Sequence, residues 1–189
     1  MRSPNLTLKR AISRRKLLTG IGAVLLGAGS MVALVRTRGY ELPPEIAGRL
    51  VSLAPWEYIF VAAAARRICA PDRLGDPSIP SSDETGVADF ADTYIAAMPE
   101  DLSSDLKKLL ALVEHLAPLA SGFGTRFSLL PPADQDRVLA SLEASDQSLL
   151  RGGFAGLKSL LFMGYYRDPR TWKMLGYSGP KVGRPAFGW

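Results

Sequence analysis

The chain has very few of the residues that build most catalytic, metal and disulfide sites. Its 189 residues include one cysteine, Cys69, and one histidine, His115. One cysteine excludes an intrachain disulfide, and the two residues together are too few for the usual structural zinc site. No C-x-x-C-H motif marks a covalent haem and no G-x-S-x-G surrounds a serine. We expect Cys69 to be a buried apolar thiol and His115 an ordinary helix residue.

Two further searches for a catalytic or cofactor site are negative. The segment Gly20–Leu25 begins like a G-x-G-x-x-G dinucleotide motif, but a leucine replaces the third glycine and no strand precedes it. The possible acid–base residues Asp89, Asp92, Glu114 and His115 show no recognisable spacing. We therefore expect no catalytic, cofactor or metal site on this chain.

Acidic residues are absent before Glu41, and this absence explains the basic overall charge. Eight of the 23 lysines and arginines lie in the first 38 residues, so the remaining 15 are outnumbered by 18 aspartates and glutamates. Beyond residue 38 the net charge is about −3. A nucleic-acid-binding domain would keep its basic excess, so we expect no nucleic-acid partner.

The basic start has the layout of an export signal. The motif is Ser13-Arg14-Arg15-Lys16-Leu17-Leu18, and an apolar run extends from Leu17 to Val35. Adjacent arginines before an apolar run are typical of the twin-arginine route, which transports folded proteins. The motif predicts the twin-arginine translocase as a partner and the periplasm as the destination.

The run Leu17–Val35 fits both a cleaved signal and a retained membrane anchor. It spans 19 residues, which is long enough to cross a bilayer. Four glycines lower its hydrophobicity and helix propensity, and no clear A-x-A cleavage site follows it. Both alternatives remain open. The predicted organisation is a signal or anchor over 1–38, a linker over 39–52, a helical domain over 53–180 and a tail over 181–189.

No segment alternates apolar and polar residues long enough for a strand, whereas apolar residues at helical spacing recur. We predict an all-α fold, a small irregular bundle of five or six helices. The first two predicted helices begin at Pro55 and Val87, and the fourth begins at Pro131-Pro132. The third is predicted to be capped by Asp101 or Ser103, and the fifth by Ser145 or Asp146. Pro118 should kink or end the third helix. The last helix has an apolar side from Leu149 to Gly164.

Three glycines interrupt that last helix. Gly152, Gly153 and Gly156 each cost about 1 kcal/mol relative to alanine in a helix. This cost suggests that another backbone approaches closely. The approach is either helix packing within the domain or contact with a partner protein.

Four motifs in order carry a resemblance to a known family. They are Leu53-Ala54-Pro55-Trp56-Glu57, Gly86-Val87-Ala88-Asp89-Phe90, Arg126-Phe127-Ser128-Leu129-Leu130-Pro131 and Leu175-Gly176-Tyr177-Ser178-Gly179-Pro180. Together with the twin-arginine leader, they resemble the gluconate 2-dehydrogenase subunit 3 family. Its members are small subunits of membrane-bound flavin dehydrogenases. The resemblance covers roughly residues 45 to 180.

The resemblance implies a function that the residues alone do not. Such a small subunit is not an enzyme. It binds and stabilises a large FAD-carrying subunit of the glucose-methanol-choline type, and a c-type cytochrome with haem c often completes the complex. The leader would then export the folded complex. A stand-alone periplasmic helical protein that binds a ligand or acts as a scaffold, and an enzyme in its own right, remain as alternatives.

The C-terminal part supplies candidate residues for the partner interface. They are Tyr165, Tyr166, Arg167, Trp172, Tyr177 and Trp189. Aromatic residues and arginine are enriched at binding hot spots. The alternative for Tyr165, Trp172 and Tyr177 is that they belong to the core of the small domain.

Overall fold

The computed structural model describes residues 39–70 and 75–179. This part of the chain contains seven α-helices and no strand, which confirms the predicted all-α fold. None of the described helices is long and apolar enough to cross a membrane. The predicted export motif Ser13–Leu18, the run Leu17–Val35 and the tail 181–189 with Trp189 lie outside the described residues.

Five long helices match the predicted apolar segments, and two helices of four residues accompany them. They are α1 Pro44–Ala47, α2 Pro55–Ile68, α3 Val87–Ala96, α4 Glu100–Ala111, α5 Ala117–Ala120, α6 Pro132–Glu143 and α7 Ser148–Tyr166. A π-helical stretch, Leu112–Leu116, joins α4 to α5, and 3-10 helices occupy Phe127–Leu129 and Pro169–Leu175. Because a proline at the first helical position lacks an N–H that would have no partner, Pro55 and Pro132 suit the starts of α2 and α6.

Helix α2 is the centre of the domain. It contacts α3, α4, α6 and α7. Phe60, Val61 and the four alanines of 62–65 are all buried, so α2 is enclosed on most sides. Alanine side chains are small enough for several neighbouring helices to approach one helix. At its end, the Arg67 guanidinium binds both carboxylate oxygens of Asp136 on α6 at 2.9 Å.

The chain does not leave the helical path at Pro118. Pro118 lies in α5, which continues to Ala120, and the π-helical stretch precedes it. A proline has no N–H to donate, and its ring crowds the carbonyl four residues earlier, here that of Glu114. The wider π turn accommodates both effects. The helix therefore changes type just before Pro118 instead of ending there.

Both predicted side-chain caps are wrong. The cap position of α4 is Pro99 rather than Asp101 or Ser103, and that of α7 is Gln147 rather than Ser145 or Asp146. Neither residue makes a side-chain capping bond. In α4, Glu100 and Asp101 instead lie in the first turn, where negative charge favours the helix dipole.

The apolar side of α7 is buried except at its beginning. Phe154, Leu157, Leu160 and Leu161 belong to the core, as predicted. Leu149 was assigned to the same apolar side, but it is 84% exposed. The spacing of Leu149 matches that of the buried residues, yet most of its side chain is exposed in the described part of the chain.

The glycines of α7 differ from one another. A Cβ at Gly153 would lie 3.0 Å from Cδ1 of Leu109, and one at Gly164 would lie 2.9 Å from Cδ1 of Phe90. Positions 152 and 156 have nothing within 4 Å of a Cβ. Within the described domain the close approaches therefore come from side chains rather than from another backbone. Internal packing accounts for Gly153 but leaves Gly152 and Gly156 unexplained.

Candidate functional site

Tyr165, the first of the six candidate interface residues, is a core residue. It is 1% exposed, and its hydroxyl donates a 2.8 Å hydrogen bond to the carbonyl oxygen of Pro80. Burial raises the pKa of this phenol to about 12. Of the two roles considered for Tyr165, the structure therefore supports the core.

Tyr166, Trp172 and Tyr177 form a small group after the core. The Trp172 Nε1 donates a 2.7 Å hydrogen bond to the carbonyl oxygen of Tyr166. The Trp172 and Tyr177 rings meet edge to face, with centroids 5.1 Å apart. Gly176 ends the 3-10 helix with φ 64°, a left-handed conformation that favours glycine. Tyr177 remains 47% exposed, so this group presents an aromatic surface.

Arg167 lies over an aromatic pair that the sequence analysis did not associate with the interface. Its guanidinium carbon is 5.2 Å from the centroid of the Phe90 ring, and Phe90 stacks on Tyr94 with centroids 5.4 Å apart. Both aromatics belong to α3. The signal missed was the pairing of two aromatics four residues apart on one helix. We call Tyr166, Arg167, Trp172 and Tyr177, with Phe90 and Tyr94, the C-terminal aromatic surface.

The possible acid–base residues on α3 have structural partners. The Asp89 carboxylate pairs with Arg49 at 2.9 Å and accepts a 3.0 Å hydrogen bond from the Tyr58 hydroxyl. Asp92 is buried and accepts hydrogen bonds from three consecutive backbone N–H groups, those of residues 51–53. Both carboxylates therefore hold the segment before α2 against α3.

Glu114 is the centre of a buried polar cluster in the π-helical stretch. Its carboxylate accepts hydrogen bonds from the Tyr40 hydroxyl and from both the N–H and the hydroxyl of Ser128, and it lies 3.8 Å from Nε of Arg126. The Arg126 guanidinium stacks on the Tyr40 ring at 3.7 Å. Burial raises the pKa of Glu114 despite these bonds. The cluster ties the beginning of the described chain to the 3-10 helix Phe127–Leu129.

His115 and Cys69 also lie in the interior. His115 is buried, with its ring 5.2 Å from that of Trp56. Cys69 is buried near the carbonyl of Leu161, and burial raises its thiol pKa to about 12. A thiol held in its protonated form is a poor nucleophile. The four possible acid–base residues thus each contact different partners, and Cys69 is a buried thiol.

One polar cavity of the domain has its charges paired. It lies between α1, α2 and the start of α3 and has a volume of about 450 Å³. Arg49 and Arg66, which line it, form ion pairs with Asp89 and Asp83. Over residues 39–70 and 75–179, no group of three histidines, cysteines or carboxylates is arranged to hold a metal ion.

Comparison with known families identifies the chain. A family model described as gluconate 2-dehydrogenase subunit 3 matches residues 55–179, which is well over half of the sequence. The match begins at Pro55 of α2 and ends two residues after Tyr177, so it includes all the candidate interface residues except Trp189. No significant match was found among curated proteins or among solved structures. The family match confirms the resemblance carried by the four motifs, and the chain belongs to the gluconate 2-dehydrogenase subunit 3 family.

Proposed function

We propose that this chain is the non-catalytic small subunit of a periplasmic, membrane-associated, flavin-dependent dehydrogenase complex. The observation that carries the proposal is the family match over residues 55–179, because this family is a dehydrogenase accessory subunit and implies a dehydrogenase complex as partner. The large partner would carry FAD and belong to the glucose-methanol-choline type, and a third subunit would carry haem c. This chain would bind and stabilise the flavoprotein.

The leader would export the complex as a unit. A twin-arginine signal suits cargo that folds around its cofactor before transport. The described domain is built around an apolar core. Export of a folded flavoprotein through Arg14-Arg15 of its small subunit would explain why the signal stands on this chain.

The C-terminal aromatic surface is the proposed contact with the flavoprotein. Arg167 and Tyr177 are exposed there beside half-buried aromatic rings. Aromatic and arginine side chains give large contact areas at hot spots. Tyr165 would support this surface from the core, and Trp189 would extend it.

Purification of the tagged full-length chain from an exporting cell tests the proposal. The expected result is a large subunit with flavin absorbance, with or without haem absorbance. A chain that elutes alone and binds a small molecule would favour a stand-alone ligand-binding protein instead. Turnover of a dye-linked substrate by the chain alone would favour an enzyme.

Substitution in the leader tests the export role. Arg14→Lys with Arg15→Lys should leave both this chain and its flavoprotein in the cytoplasm. The matched control is Arg36→Lys with Arg38→Lys, which keeps the same charge and leaves the motif intact. If the flavoprotein still reaches the periplasm with the first pair changed, the carrier role is wrong.

A further inference from the structure

An apolar groove runs between α4 and the first half of α7. It has a volume of about 500 Å³ and is lined mainly by leucines, namely Leu106, Leu109, Leu112, Leu149 and Leu150. Leu149, the first of the groove residues on α7, is 84% exposed. A leucine that exposed gains no burial energy within this domain. The groove therefore presents apolar surface that a partner can cover.

On the α7 side of the groove, glycine leaves the helix backbone without a covering side chain. Gly156 lines the groove, and neither it nor Gly152 has any atom within 4 Å of the position a Cβ would take. Each glycine weakens the helix relative to alanine, and nothing inside the described domain uses the space. A missing Cβ lets an external backbone approach closely. These two glycines fit a contact with another helix.

The exposed face of α7 leads from the groove toward the C-terminal aromatic surface. Leu149, Gly156 and Met163 are spaced by seven residues, so they lie on one face of α7, and Arg167 follows one turn later. All four are exposed. One partner element along this face would reach both regions.

The first turn of α4, which lies one turn before the groove-lining Asp105, is acidic. Glu100 and Asp101 are exposed and form no ion pair within the described part of the chain. One turn further, Asp105 is neutralised by Lys108 at 2.7 Å. Two carboxylates that form no ion pair among the described residues, one turn from the groove lining, favour a partner helix with a basic residue at that end.

We propose that this groove binds an α-helix of the flavin-carrying subunit, which rests on the function proposed above. The helix would lay an apolar face between the leucines of α4 and α7, as in helix-in-groove recognition. It would place small residues against Gly152 and Gly156 and a basic residue near Glu100 and Asp101.

The test replaces Gly156 in the full-length chain and measures binding of the flavoprotein. Nothing lies within 4 Å of the Cβ position at Gly156, and a leucine there would project into the groove, so the thermal midpoint of the chain should stay the same or rise. Copurified flavoprotein should fall about ten-fold or more. Ala155→Leu, which adds a leucine at the exposed neighbouring position outside the groove lining, should change neither quantity. Gly156→Ala serves as a milder variant if the leucine disturbs folding.

A crosslink identifies the occupant. A photoreactive residue in place of Leu149 should join a helical segment of the flavoprotein that has a basic residue at one end, as mapped by mass spectrometry. If wild type and Gly156→Leu retain equal flavoprotein, the groove inference is wrong and the proposed function stands. If wild type retains none, both fail. A crosslink to a second copy of this chain, with a dimer that Gly156→Leu abolishes, would replace the proposed occupant.

Discussion

Asp92 and Leu53 are 39 residues apart in the sequence, yet Oδ1 of Asp92 accepts a 2.6 Å hydrogen bond from the N–H of Leu53. The same carboxylate accepts bonds of 2.8 Å from the N–H groups of Val51 and Ser52. One buried side chain on α3 therefore holds three consecutive backbone donors immediately before α2. This contact fixes how the chain enters its central helix.

Asp92→Ala should destabilise the domain strongly. It leaves three backbone donors without their acceptor, of which that of Leu53 is buried, and the expected loss in the free energy of unfolding is about 3 kcal/mol. Urea denaturation followed by circular dichroism measures it. Thr93→Ala, at the exposed neighbouring position, should stay within about 0.5 kcal/mol of wild type. A loss below about 1 kcal/mol for Asp92→Ala would show that water replaces the carboxylate.

Two glycines of α7 should respond in opposite directions to the same substitution. In Gly164→Ala the new methyl would lie 2.9 Å from Cδ1 of Phe90 and 3.3 Å from Cγ1 of Val87. Overpacking of this kind costs about 1–3 kcal/mol. Gly152→Ala meets open space and should gain up to about 1 kcal/mol in helix propensity. Thermal unfolding of both variants checks the signs, and a stabilising Gly164→Ala would mean that α3 moves away easily.

The helices could be predicted because their signals are local. Pro55 marks the start of α2 and Pro132 that of α6, and the spacing of apolar residues gives the rest. The side-chain caps could not be predicted, since Asp101, Ser103 and Ser145 fit the cap preference equally well in sequence. A residue type states which capping bonds are possible, whereas the neighbouring backbone decides which one forms.

Whether a residue is buried, and what its side chain does, depends on contacts with residues far away in the sequence. The sequence pattern does not show these contacts. Leu149 and Leu157 have the same spacing signal, but only Leu157 meets α2 and its neighbours in the core. Tyr165 and Tyr177 are equally aromatic, and only Tyr165 finds a buried acceptor, at Pro80. The structural role of Asp92 could not be predicted, because the three backbone donors that it binds lie about 40 residues away in sequence.

The buried carboxyl of Glu114 should give the domain a specific pH dependence. Burial raises its folded pKa above 4.5, the ordinary value expected for the unfolded chain. Between these two pKa values the folded state binds more protons, so this group adds stability as the pH falls and removes it as the pH rises. Glu114→Gln cannot ionise. The unfolding free energy of wild type minus that of Glu114→Gln should therefore increase from about pH 7 to about pH 5.

Urea denaturation at both pH values measures that difference. Asp76→Asn is a useful control, because bonds from Ser78 lower the pKa of this carboxyl below its ordinary value of 3.8. It is therefore ionised in both the folded and the unfolded chain at about pH 5 and about pH 7, and its difference from wild type should stay nearly constant between them. A wild-type advantage that shrinks on acidification would show that the bonds from Tyr40 and Ser128 outweigh burial at Glu114.

Cys69 should report unfolding rather than surface chemistry. Its thiol is buried and its pKa is raised to about 12, so iodoacetamide at about pH 8 should leave the folded protein unmodified. In urea the same thiol should react completely. Ser159→Cys places a second thiol on the exposed side of α7, and mass spectrometry should find label only at that position in the folded variant. Rapid labelling of Cys69 without denaturant would reveal local opening between α2 and α7.

The C-terminal aromatic surface should affect assembly without affecting folding. Arg167 and Tyr177 are exposed, so Arg167→Ala and Tyr177→Ala should change the free energy of unfolding by less than about 1 kcal/mol. If the flavoprotein docks there, the double variant should retain about ten-fold less of it in copurification, because arginine and tyrosine anchors carry a large share of binding energy. Arg151→Ala, an exposed arginine at the opposite end of α7, is the matched control and should retain the wild-type amount. If the double variant and the control retain equal amounts of flavoprotein, the interface lies elsewhere on the domain. A large loss of stability in the double variant would instead show that Tyr177 supports the fold through its contact with Trp172.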